Sequence, residues 1–213
     1  MMDDQQTKDD DLGAARWRWN FVVSRLKDAY EAACYSLDKE LRKLEKDHKN
    51  WQRSGPPDPS DPDEVESHAN EGEWIGESFV ETEHALQLVR QGFAVVLFHS
   101  WERHALDWAR KWTGWKDDSD YNHHYVTNRL KRDGFIIDAG LHKLNKVANC
   151  IKHDDAELWK EDQSMFDPLM AYLIDNDIKP DYGRHLRLSE IVMQNLLKSL
   201  SESGPSQQPT LRI

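Results

Sequence analysis

Between 17 and 51 the apolar residues return in steps of three and four: Leu26, Tyr30, Ala33, Leu37, Leu41 and Leu44, with charges filling the opposite face. That period predicts an amphipathic helix over 16–53, of a kind that also pairs with a partner helix. It is followed by a run in which four of the eight prolines lie between 54 and 62. Proline removes an amide donor and blocks helix continuation, so 54–72 reads as a linker. A second helical pattern follows over about 75–112. It carries Phe79, Leu86, Val89, Phe93, Val96, Leu97 and Trp101, and its centre is apolar on most faces. This element is expected to be the most buried. Gly92 within it marks a close helix contact or a bend, and Thr113-Gly114 an end.

The remaining pattern is shorter-ranged. Residues 116–137 are rich in His, Asp and Asn and read as a loop with one short helix. Asp138 is placed to cap a helix over 139–153, and Ser189 to cap a last helix over 190–200. Pro168 and Pro180 break the stretch between them. The acidic residues 1–15 are expected to be disordered, and 201–213 to form a flexible tail. No alternating strand pattern is present. The chain therefore reads as mainly α, a helical bundle with its core over 73–200.

The helix over 139–153 has two faces. At 100° per residue His142, Asn145, Lys146, Asn149, Lys152 and His153 share an arc of about 120°. Leu141, Leu144, Val147, Ala148 and Ile151 fill the other side. One face packs, and the other offers amides, imidazoles and lysines. Between 128 and 153 six cations stand against two acids, although the chain as a whole has a net charge of −11. A basic patch in an acidic protein suits an anion or phosphate, and an ordinary solvated helix face is the alternative.

Composition removes several classes. The longest apolar run, 93–98, is far short of a spanning helix, which needs about 20 residues. The N-terminus lacks the basic and apolar regions of a secretory signal, so a cytoplasmic location is expected. The net acidity argues against a protein that simply coats DNA. Cys34 and Cys150 form no CxxC pair, and the common phosphate-binding and nucleophile-elbow motifs are missing. Glu81-to-His84 and His99-to-Glu102 are metal-type spacings, but both fall on one predicted helix and lack the facing ligands a di-iron bundle needs. No metal and no cofactor are expected. His123-His124 reads as a solvent-exposed pair in a polar loop. Trp101, Trp108, Trp112 and Trp115 are spaced to share one side of a helix, either as core or partner packing or as a base-stacking platform.

The stretch LHKLNKVANCIKH over 141–153 resembles the third-helix signature of HEPN domains, in which a basic residue and Asn precede a His that ends a helix. In that family an earlier helix supplies an acidic residue, and Glu102 in FHSWERH is the match. The resemblance covers about 75–155. It implies a helical, homodimeric domain whose two motif copies face each other. Many members are metal-independent ribonucleases of toxin–antitoxin or antiphage systems, and others are inert scaffolds. By this resemblance His153 moves the proton of the RNA 2′-hydroxyl or of the leaving oxygen, and Lys146 or Lys152 stabilises the phosphorane. Asn149 holds a phosphate oxygen or orients His153, and Glu102 fixes the imidazole or a lysine. Lys152, Lys143, His142 and Asn145 are the nearest candidate phosphate contacts. Arg129, Lys131 and Arg132 extend that set. Ala148 stands where the family usually carries Arg. The competing expectation is a catalytically inactive protein of the same fold, binding a protein partner through the Trp-rich helix or the first helix.

Overall fold

The computed structural model describes residues 2–115 and 122–205, with side chains from Asp10 onward in the first helix. Among the described residues there are eight α-helices, one 3₁₀ turn and no strand beyond isolated bridges. The helices are α1 (Met2–Ser54), α2 (Pro62–Trp112), α3 (His123–Arg132), α4 (Gly140–His153), α5 (Glu157–Glu161), α6 (Leu169–Asp175), α7 (Tyr182–His185) and α8 (Glu190–Glu202). The mainly α architecture read from the periodicity is the observed one. The chain forms two compact units. One is Ala29–Arg90; the other joins the described residues up to Asp28 with those from Gln91 onward.

The Ala29–Arg90 unit is built from α1 and α2 segments joined by a short loop. Tyr30, Cys34, Leu44, Ile75 and Leu86 are buried in it. Near the loop the Trp51 indole stacks on His68 at 4.8 Å and donates to the His68 carbonyl at 3.1 Å. The expected linker over 54–72 is much shorter, because α2 starts at Pro62. The Asp61 carboxylate accepts the Asp63 and Glu64 amides at 3.1 and 3.2 Å. An aspartate cap followed by proline in the first helical position starts a helix, since that position has no intrahelical use for its N–H. Gly92 marks no helix contact: a methyl group added there would meet nothing within 4 Å.

In the other unit Trp19, Trp101 and Trp108 form a buried cluster. Their ring centroids lie 5.4–5.9 Å apart in edge-on arrangements, the geometry aromatic quadrupoles favour. This corrects the stacking-platform alternative, because Trp101 is wholly buried and Trp108 nearly so. Trp115 lies beyond the end of α2. Trp19 also donates its indole N–H to the Leu200 carbonyl at 3.2 Å. Arg16 donates to the carbonyls of Ser203 and Ser201 at 3.2 and 2.9 Å. Side chains of α1 thus bind carbonyls at the end of α8, where the Leu200 carbonyl also accepts the Ser203 N–H at 3.3 Å. Residues 10–15 are therefore not a disordered leader: they continue α1, and Ala15 is buried. Residues 201–205 are not a loose tail either. Ile136 and Gly204 exchange backbone hydrogen bonds at 3.0 and 2.7 Å, and the Ser203 hydroxyl accepts the Asp138 amide at 2.9 Å. The expected loop over 116–121 and the tail over 206–213 lie outside the described residues.

Helix α4 packs against α5, α7 and α8. Leu141, Leu144, Val147, Ala148 and Cys150 are fully buried. Asp138, expected to cap it, stands one residue too early: the cap position is Ala139, which has no side-chain cap bond, and the Asp138 carboxylate accepts the Gly140 amide at 2.8 Å from before it. Ser189 caps α8 by accepting the Val192 amide at 3.3 Å. Two close approaches set the position of α4. A methyl group on Gly140 would come within 2.1 Å of the Ser199 hydroxyl oxygen, and one on Gly183 within 3.1 Å of the Cys150 carbonyl oxygen. Gln91 secures α7 from α2, donating to the carbonyls of Gly183 and Leu186 at 3.1 and 2.9 Å.

These contacts predict two stability losses. Gly140→Ala should destabilise the fold by about 1–3 kcal/mol through overpacking. Trp19→Ala should cost about 3–5 kcal/mol, as expected for deletion of a buried tryptophan. Urea denaturation followed by circular dichroism measures both; a Gly140→Ala midpoint equal to wild type would show that Ser199 simply moves aside.

Candidate functional site

The polar face of α4 forms one wall of an open cleft of about 440 Å³. His142, Asn145, Asn149, Lys152 and His153 all line it. Among the described residues none of these five side chains has a hydrogen-bond or ion-pair partner. The packed face of α4 accounts for this, because burying the apolar side turns the polar side outward as a unit. The helix stops at Asp154, which adopts φ +55° and ψ +41° and donates its N–H to the Cys150 carbonyl. The Asp154 carboxylate accepts the Tyr182 amide, tying this left-handed turn to α7. The end of α4 is thus closed without using Asn149 or His153.

The opposite wall comes from α2 and the start of α3. Helix α2 contributes Phe98 and Glu102, and α3 contributes His123 and His124 with its cap Asn122. Asn122 accepts the Tyr125 amide at 3.0 Å. Val126 and Leu130, four residues apart, are buried and seat α3. His123 lies against Phe98, with ring centroids 5.6 Å apart. Burial, reinforced by the neighbouring positive charges of His142, His124 and Lys131, pushes its pKa down to about 4. The ring is neutral at physiological pH. His124 instead contacts the Asn128 amide at 2.8 Å.

Of the residues expected at the site, the cleft brings together Glu102, His142, Asn145, Asn149, Lys152 and His153. It does not include Lys146, which stands at the edge of the polar arc and forms an ion pair with Glu161 of α5. Lys143 is likewise drawn away, by Asp162 at 2.9 Å. Arg129 donates to the Thr113 carbonyl at 2.6 Å and lies 3.6 Å from Asp133, so it braces the end of α2. Lys131 and Arg132 are exposed in the last turn of α3, where cations suit the helix dipole. Glu102 was expected to fix a catalytic imidazole or lysine; its Oε2 lies instead 2.8 Å from His99 Nδ1. Ala148 is fully buried on the packed face, so a cation at that position would point into the core. Cys150 is buried too, and its thiol pKa is pushed up to about 12 by burial and then by Asp154, Asp155 and Asp181, which leaves it unreactive.

His123 and His124 are the residues that the sequence reading assigned elsewhere. The Val126/Leu130 spacing behind Asn122 is the available clue, since it makes a short amphipathic helix whose first residues turn toward α4. Among the described residues no group of three or more His, Cys, Asp or Glu side chains is arranged to hold a metal ion. No described helix is long and apolar enough to cross a membrane. Comparison with family models, curated proteins and solved structures returned no match.

The depressed pKa of His123 has a signed consequence. Between about pH 6.5 and pH 4 the unfolded chain binds a proton at this position and the folded chain does not. This contribution to stability is therefore undiminished above pH 6.5 and declines as the pH falls toward 4. An NMR titration should find one histidine ring neutral down to about pH 4. Its resonance should vanish in His123→Gln, and stability in that variant should fall less steeply over the same window. A His123 midpoint near 6.5 would contradict the burial argument.

Proposed function

We propose that the cleft is a metal-independent ribonuclease centre of the HEPN kind, cleaving RNA by attack of its own 2′-hydroxyl. One observation carries the reading: uncommitted polar side chains of α4 converge with a neutral imidazole from α3 across a single cleft. Cleavage of RNA needs a group that accepts the 2′-hydroxyl proton and one that returns a proton to the leaving oxygen. His123 is held in the accepting form, and His153 on the facing helix takes the second role. Lys152 supplies charge to the phosphorane, in place of Lys146, and Asn149 offers an amide donor to a phosphate oxygen. Glu102 acts on the cleft through its pair with His99. A homodimer, in which a second copy of the α4 face completes the site, belongs to the same reading.

The second reading is an inactive scaffold that binds a partner through this fold. It is favoured by one specific feature: two of the three α4 lysines are neutralised by Asp162 and Glu161, and Ala148 offers no replacement.

The test is incubation of the purified full chain with total cellular RNA in EDTA, beside His153→Ala and His123→Gln. Cleavage should yield 2′,3′-cyclic phosphate ends and fall about 10²–10⁴-fold in His153→Ala, the usual scale for losing an acid–base group. Equal cleavage by wild type and His153→Ala would remove His153 from the chemistry. Absence of cleavage by wild type at any protein concentration would favour the scaffold.

A further inference from the structure

We propose that copies of this chain associate head to tail through the helical hairpin of the Ala29–Arg90 unit, the outer edge of α1 in one copy lying against the outer edge of α2 in the next. Each edge carries a stripe of one sign. On α1, Lys39, Arg42, Lys46, Lys49 and Arg53 recur in steps of three and four, and all are exposed. At 100° per residue they share an arc of about 80°, turned about 140° from the buried Tyr30, Cys34 and Leu44. On α2 the exposed Glu66, Glu73, Glu77 and Glu81 share an arc of about 80°, turned about 170° from the buried Ile75 and Leu86. From 54 to 89 the chain has ten acids and no Lys or Arg.

These charges have no counter-ions of their own. Among the described residues none of the stripe side chains has a hydrogen bond or an ion pair. The acids nearest the basic stripe are engaged or lie off it. Glu40 is 3.4 Å from Lys43 and Asp38 is 3.9 Å from Arg90, while Glu45 and Asp47 fall outside the arc. An ordinary solvated helix face mixes its signs, because like charges four residues apart repel. Arg42 and Lys46, Lys49 and Arg53, Glu73 and Glu77, and Glu77 and Glu81 are all such pairs. Each stripe therefore weakens its own helix until the opposite charge faces it.

The register of the hairpin selects a second copy as the occupant. Trp51 stands level with His68, on which it stacks and to whose carbonyl it donates. In an antiparallel pair, a residue before Trp51 is level with the one equally far after His68. Lys46 and Glu73 lie five before and five after, and Arg42 and Glu77 nine before and nine after. Arg53 and Glu66 lie two after and two before, and Lys39 and Glu81 match to within one residue. Copies set side by side, with α2 of one on the outer edge of α1 of the next, thus bring four cations level with four acids. Apolar groups join them: Tyr35 and Leu88, 69 % and 56 % exposed, continue the two stripes at the same end, and the 55 % exposed Trp74 flanks Glu77 within reach of Lys46. Two α1 edges would set cations against cations, and two α2 edges acids against acids, so a two-fold contact is opposed. Because the edges point opposite ways, each copy uses both only with two different neighbours, and the contact repeats. It uses none of the cleft residues and is independent of the ribonuclease reading.

The experiment is sedimentation velocity of the full chain over a rising concentration series. Wild type is compared with Arg42→Ala/Lys46→Ala and with Glu73→Gln/Glu77→Gln, each checked for wild-type circular dichroism and melting. Wild type should form species that grow with concentration and disperse in about 1 M salt, where the Debye length is about 3 Å. Each variant should associate about tenfold more weakly, the scale for losing two ion pairs at a surface. An equimolar mixture of the two variants should form a one-to-one complex and nothing larger, because each keeps one intact edge of opposite sign. Wild type that stays monomeric throughout overturns the proposal. So does association equally strong in both variants or unaffected by salt, which would place the contact on another face. A mixture no more associated than its separate components overturns the head-to-tail arrangement.

Discussion

The candidate site depends on the close seating of α4. A helix of 14 residues has little stability of its own in water, so its orientation comes from tertiary packing rather than from propensity. Here the packing is tight at both ends. Gly140 lets α8 approach the first turn of α4, and Gly183 lets α7 approach the last. Between them the buried side chains from Leu141 to Cys150 leave no freedom to rotate about the helix axis. Rotation by one residue would move the imidazoles out of the cleft and drive Lys146 or Lys143 into it. The chemistry of the cleft is thus specified by residues that never touch it.

That division explains what was legible in the sequence. The two faces of α4 follow from local periodicity, so the residues presented to the cleft could be read before the structure, as could the cap at Ser189. The commitments of Lys143 and Lys146 could not. Their partners, Asp162 and Glu161, are distant in register, and a turn after Asp154 brings them round. The same limit hid His123: the chain before it is polar, and only its fit against Phe98 and the α4 face distinguishes it from an exposed loop residue. The start of α2 is different. Asp61-Pro62 carries a local start signal, but the prolines just before it make the whole stretch read as linker.

Electrostatics separate two kinds of cation in this acidic chain. Lys143, Lys146 and Arg129 sit beside carboxylates or carbonyls and serve the fold. Lys152 and Arg18 lie on the surface. Around His123 the surplus of positive neighbours has a chemical effect as well as a spatial one. Burial and like charge both disfavour protonation of its ring. An imidazole in that state is neutral but a weak base. A phosphate entering the cleft would bring negative charge near the ring and raise its proton affinity, so occupancy and basicity would rise together.

The anchoring of α1 on α8 gives the exposed, stacked rings of Trp17 and Phe21 a firm base. Arg16 and Trp19 donate to carbonyls at the end of α8, and they flank Trp17 and Arg18, which face outward. Side chains two residues apart on a helix point in widely different directions. The same few residues can therefore bind α8 on one side and display stacked rings on the other without compromise. An aromatic pair on a frayed helix end would lose its register through backbone motion. Here three hydrogen bonds and a buried indole restrain the turn that carries Trp17.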